Sequence, residues 1–182
     1  MKMVSSSEQI HNYILAKDGN RPHLLQHVFA ENAVLEMVVK TDAIAFPSLS
    51  KGIESIMDVL VRKFGQTYEN VYTLCLEDSP VKSSDSFSCK WLVVMSEKTS
   101  GIVRVGCGRY DWLFQPEEAH LVEKLIITIE NMQLHPKENL NVFMDWISNL
   151  PYPWCPAKLI TNNIPKAEGI QSIIDYIHNQ SK

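Results

Sequence analysis

Tyr13 and Tyr110 each carry a phenol that could donate a hydrogen bond. Met37, Trp91 and Trp112 would surround them with apolar and aromatic surface, which suits an aromatic or polycyclic molecule. Arg109 and Asp111 flank Tyr110, so strand alternation sets them on the opposite face from it. If Tyr110 and Trp112 face a pocket, Arg109 and Asp111 make an ion pair on the outside of the sheet. With the parity reversed, they become the best acid–base pair in the chain. Tyr13, Tyr110 and Asp111 are therefore the catalytic candidates, with Met37, Trp91, Arg109 and Trp112 as ligand contacts.

Other chemistries find little footing. Of the six histidines, only His120 falls in a strand-like run, beside a turn, so a histidine dyad in a pocket is not expected. No His or carboxylate pair has ligand spacing on one face, so no metal and no cofactor are expected. Cys75, Cys89, Cys107 and Cys155 form no C-x-x-C pair, and the first three lie in strand-like runs as small apolar fillers. With no leader-like start and no long apolar run, a reducing cytoplasm is the expected location. A net charge of -4 argues against a nucleic-acid partner, which needs a clustered basic face.

The elements that must position these residues follow from periodicity. Ser5 and Glu8 form a capping-box pattern that starts a helix carrying Ile10, Tyr13, Ile14 and Lys17 on one face. Asp18-Gly19-Asn20 stops it, and Pro22 opens a second helix with Leu24, Leu25, Val28 and Phe29 on one face. A strand over 34–39 follows, then a loop over 41–50, then a third helix from Ile53 to Phe64 that Gly65 ends. From Asn70 the period changes to two. Strands are expected over 71–77, 86–96, 102–114 and 120–129, as a strongly curved antiparallel meander. Gly106 and Gly108 fit a bend or a close approach in it. Residues 133–182 read as a helical extension, with stripes at Leu140, Phe143, Met144 and Ile147 and at Ile170, Ile173, Ile174 and Ile177. It would close the pocket mouth, pack on a partner subunit, or bury extra surface on its own domain.

The segment Phe29-Ala30-Glu31-Asn32-Ala33-Val34-Leu35-Glu36 resembles an F-A-D-D-A-x-x-E junction, and Gly108 to Phe114 resembles a G-x-Y-x-x-x-F strand. Both belong to the nuclear-transport-factor-two-like superfamily, which includes ketosteroid isomerases, scytalone dehydratase and SnoaL-like polyketide cyclases. The resemblance covers residues 5 to about 132. It implies an α+β fold: a cone-like curved sheet closed by N-terminal helices around one pocket.

Carried over by position, the oxyanion-binding tyrosine of ketosteroid isomerases falls on Tyr13 and their second donor on Tyr110. Their general-base aspartate falls on Met37, whose thioether cannot take a proton from carbon. Glu36 is adjacent but alternates to the other face. Ketosteroid-type isomerisation is therefore rejected. What remains is a pocket for a small apolar or aromatic molecule, with isomerase-, cyclase- or dehydratase-like action on a carbonyl substrate and no identified base. The alternative is a non-catalytic binding or scaffold module whose pocket its own side chains fill. Relatives often pair through the outer sheet face, so a homodimer without membrane contact is expected.

Overall fold

The computed structural model describes residues 3–179. The capping box forms: Ser5 Oγ accepts from the Glu8 N–H at 3.1 Å, and the Glu8 carboxylate accepts from the Ser5 N–H at 2.9 Å. Helix α1 (Ser6–Asp18) follows, with Ile10, Tyr13, Ile14 and Lys17 buried along one side. The second expected helix is only a short 3₁₀ helix, Pro22–His27. Strand β1 (Phe29–Val39) starts earlier than its sequence pattern suggests, because Val28 and Phe29 are already tied to Val122 on a neighbouring strand.

β2 (Leu49–Lys51) is a short edge strand at the end of the expected loop. Next, α2 (Ile53–Met57) passes through a π turn, Asp58–Arg62, into α3 (Lys63–Thr67). The helical run does not stop at Gly65. A Cβ there would lie 2.8 Å from the Asn20 side chain, so glycine serves packing against the end of α1 rather than termination.

Strands β3 (Tyr68–Cys75), β4 (Ser86–Glu97), β5 (Val103–Phe114) and β6 (Val122–His135) form the antiparallel meander. The sheet order is β2-β1-β6-β5-β4-β3, with β1 and β6 parallel. Register slips by one residue opposite Cys107 and Gly108, leaving Glu130 as the extra residue of a bulge. Bulges bend and twist the strand that carries them. At Gly108 the chains approach so closely that a Cβ would sit 1.8 Å from the Thr128 carbonyl and 2.7 Å from the Trp91 ring. That glycine lets Trp91 lie across the concave face.

The curved sheet has an apolar cluster on each side. On the concave side, α1 and the α2–α3 run cover Leu35, Met37, Trp91, Tyr110 and Trp112. On the convex side, Leu74, Leu92, Val94, Val103 and Val105 are fully buried. They lie under α4 (Leu140–Ser148), α5 (Ile170–His178) and the connector between them. Trp146 fastens this layer by donating its indole N–H to the Ile160 carbonyl at 3.0 Å. The C-terminal segment thus packs on the back of its own sheet.

Candidate functional site

The concave side holds a cavity of about 50 Å³, lined mostly by Met, Ile, Leu and aromatic side chains. Helix α1 contributes Tyr13 and Lys17, one turn apart on its buried stripe. β1 contributes Met37, β4 Trp91, Val93 and Met95, β5 Tyr110, and β6 Ile127, Ile129 and Met132. Thr73 of β3, Ile44 and Phe46 of the β1–β2 loop and Leu60 and Phe64 of the helical run complete it.

The polar groups around this space carry N–H and O–H donors. Tyr13 Oη and Trp91 Nε1 are buried and close no hydrogen bond of normal geometry. The Tyr110 hydroxyl couples to that of Tyr13, and the two rings meet edge to face at 5.7 Å. Burial drives both phenols well above the ordinary tyrosine range, so they stay protonated at neutral pH. Lys17 has three N–H groups: one donates to Asp18 Oδ1 at 2.8 Å, another to Thr73 Oγ1 at 2.7 Å. Its ammonium lies 4.9 Å from the centre of the Phe64 ring.

The one carboxylate in this network is closed off. Asp18 accepts from Lys17, from the Thr73 N–H at 2.7 Å, from Thr73 Oγ1 at 2.9 Å and from Tyr152 Oη at 2.8 Å. A carboxylate offers roughly four acceptor sites, and all are taken. Asp18 therefore holds Lys17 in place instead of taking a proton. Met37 is buried in the cavity wall, and Glu36 points outward to Lys124 at 3.4 Å. The arrangement can grip and polarise an oxygen, but it has no group placed to remove a proton from carbon.

The structure brings Tyr13, Tyr110, Met37 and Trp91 together around one space. Trp112 faces the same side but stands behind them, packed on Tyr13 at 5.0 Å and stacked on Phe114, without reaching the cavity. Arg109 and Asp111 lie away from this cavity: they face the convex side, paired at 3.0 Å and partly exposed, because β5 alternates strictly there. His120 is also remote from the cavity; its Nε2 lies 2.9 Å from Ser6 Oγ and its ring stacks on Phe114. The sequence pattern does not mark Lys17 and Asp18 as site residues, although a lysine on the stripe of Ile10, Tyr13 and Ile14 is a visible signal. Among the described residues, no group of three or more His, Cys, Asp or Glu side chains could hold a metal ion. No helix among them is long and apolar enough to cross a membrane.

No model of a known family matches the chain, and no curated relative matches it. Solved structures do. A candidate isomerase from Rhodopseudomonas palustris superposes with a TM-score of 0.58 at 13% identity, covering 72% of this chain and 93% of its own. A nuclear transport factor 2-like superfamily protein from Salmonella enterica gives 0.53 at 14% identity, covering 69% and 88%. A protein with a ketosteroid-isomerase-like fold from Catenulispora acidiphila, in complex with trimethylamine, gives 0.53 at 14% identity, covering 68% and 85%. These neighbours are spanned almost whole. The chain carries the nuclear-transport-factor-two-like fold, the α+β cone it shares with ketosteroid-isomerase-like proteins.

Proposed function

We propose that the chain binds a small, mostly apolar molecule through a neutral acceptor, a carbonyl-type oxygen, and polarises that oxygen without abstracting a proton. The observation that carries this reading is the buried Tyr13 hydroxyl, which has no hydrogen-bond partner of normal geometry. An unmade hydrogen bond in the interior costs about 1–3 kcal/mol, so a ligand oxygen that accepts it gains what the empty site loses. Trp91 Nε1 offers a second unpaired donor in the same wall.

A neutral acceptor suits the site better than a carboxylate does. The charge of Lys17 is already balanced by Asp18, so a ligand anion would enter an apolar space without a counter-charge. Ligand size is set by the methionines. With about 50 Å³ open, Met37, Met95 and Met132 have to move aside, which unbranched thioethers do readily. The fold shared with a candidate isomerase and with a neighbour that holds a small amine supports a ligand-binding interior. The missing base favours binding over turnover.

The test is a matched set of probes. Acetophenone, benzoate and ethylbenzene have similar shapes but present a neutral acceptor, an anion and no acceptor. Acetophenone should bind most tightly and perturb Trp91 fluorescence. Equal binding of acetophenone and ethylbenzene would remove the hydroxyl from the reading, and no binding by any probe would leave a self-filled core.

A further inference from the structure

A chain of contacts runs from the C-terminal segment into the cavity wall. The connector after α4 crosses the end of β3, where the Cys75 N–H donates to the Pro153 carbonyl at 2.7 Å and the Cys155 N–H to the Cys75 carbonyl at 2.9 Å. This bridge sets Tyr152 against Tyr72, with ring centres 5.9 Å apart, and aims its hydroxyl at Asp18 Oδ2. The same oxygen accepts from the Thr73 N–H. Oδ1 accepts from Thr73 Oγ1 and from Lys17 Nζ. Tyr152 and the Thr73 amide thus fix one carboxylate oxygen, and the other, with Thr73 Oγ1, fixes the ammonium.

The Lys17 and Asp18 side chains are only 8% and 4% exposed, so water does little to loosen the arrangement. The lysine lines the cavity while two of its three N–H donors are engaged. The third remains for a ligand. Buried networks of this kind act as units, and loss of one member moves the others.

Building on the ligand-binding reading of the cavity, we propose that Lys17 is a further ligand-binding donor and that Tyr152 is its positioning residue. The C-terminal segment then does more than cover the back of the sheet: it holds the cavity's cation in register through Asp18. Ligand binding and docking of the connector are linked in both directions.

The test is a double-mutant cycle on acetophenone affinity, with Tyr152→Phe, Lys17→Met and the double variant compared by titration calorimetry. Tyr152→Phe is expected to weaken binding about fivefold in the wild-type background, and less than about twofold once Lys17 is gone. Lys17→Gln takes the place of Lys17→Met should the latter not unfold cooperatively. Equal losses in both backgrounds would make Tyr152 a packing residue and overturn the proposal. A second readout needs no ligand: in protein labelled with ¹⁵N at lysine Nζ, Tyr152→Phe should shift the Lys17 ammonium signal and speed its proton exchange. An unchanged signal also overturns the proposal. Failure of wild-type protein to bind acetophenone would instead overturn the cavity reading, and the ligand-binding role of Lys17 with it.

Discussion

Removing the Tyr13 hydroxyl should stabilise the protein while weakening it as a binder. The ring of Tyr13 is fully buried and packed edge to face on Trp112, Tyr110 and Phe29, contacts that phenylalanine keeps. The oxygen, in contrast, is desolvated without closing a hydrogen bond. Relief of a buried unsatisfied group is worth about 1–3 kcal/mol, and a loose coupling to the Tyr110 hydroxyl offsets part of it. The net expectation for Tyr13→Phe is a gain of about 1 kcal/mol, a rise in Tm of about 2–4 °C for a chain of this size. Acetophenone should bind about three- to tenfold more weakly, the loss of one neutral hydrogen bond, and ethylbenzene should not change. Tyr152→Phe is the internal control of opposite sign. Its hydroxyl is paired with Asp18, so the same change there should destabilise by about 1 kcal/mol. Thermal and urea unfolding measure both variants. A loss of 1 kcal/mol or more in Tyr13→Phe would show that the hydroxyl is satisfied in the unliganded protein, and the argument for an acceptor-bearing ligand would fall.

Deletion of residues 137–182 would uncover Leu74, Leu92, Val94, Val103 and Val105, all fully buried now, and the shortened chain should be insoluble or fail to melt cooperatively. His135 packs against Phe143 of α4 with Nε2 unpartnered, and burial lowers its pKa. The unfolded chain then binds its proton more readily, so this contribution to stability is intact above the ordinary histidine value of about 6.5 and lost on acidification below it. His135→Gln should shrink the drop in Tm between pH 7.5 and 5.5, and an equal drop in both proteins would locate the acid sensitivity elsewhere. Should the chain pair as a homodimer through the part of the convex face near Val38, Leu113 and the Arg109–Asp111 pair, Asp111→Arg would shift it toward monomer. Sedimentation at low concentration decides it, since an unaltered mass rules that face out.

Much of the fold was legible because its signals are local. The Ser5–Glu8 capping box, the period-two runs from β4 to β6 and the stripes of α4 and α5 each need only neighbours in sequence to declare themselves. The errors occur where tertiary contacts decide. Pro22–His27 stays a short 3₁₀ helix because β1 claims Phe29 for pairing with β6. Gly65 reads as a stop until Asn20 is seen to fill the space where its Cβ would lie. In the site, Tyr13, Met37, Trp91 and Tyr110 could be found by alternation and helical spacing, and alternation also placed Arg109 and Asp111 outside once one parity was fixed. Asp18 could not be found that way. Its partners Thr73 and Tyr152 lie 55 and 134 residues away, and in sequence it looks like the last residue of a helix before a glycine.

The position of Asp18 bears on why this cone lacks a base. Burial is the main cause that raises the pKa of both cavity phenols, and the Asp18 charge adds to it, so an unencumbered carboxylate there would be the natural group to recruit for proton transfer. Three of its four donors come from the cone itself, through Lys17 and Thr73. The fourth comes from Tyr152, in the C-terminal segment. Met37 supplies no carboxylate in the cavity wall, and Tyr152 completes the neutralisation of the one beside it. Both features leave phenol, indole and ammonium donors facing an apolar space with no open carboxylate, the polarity that the proposed oxygen-holding site requires.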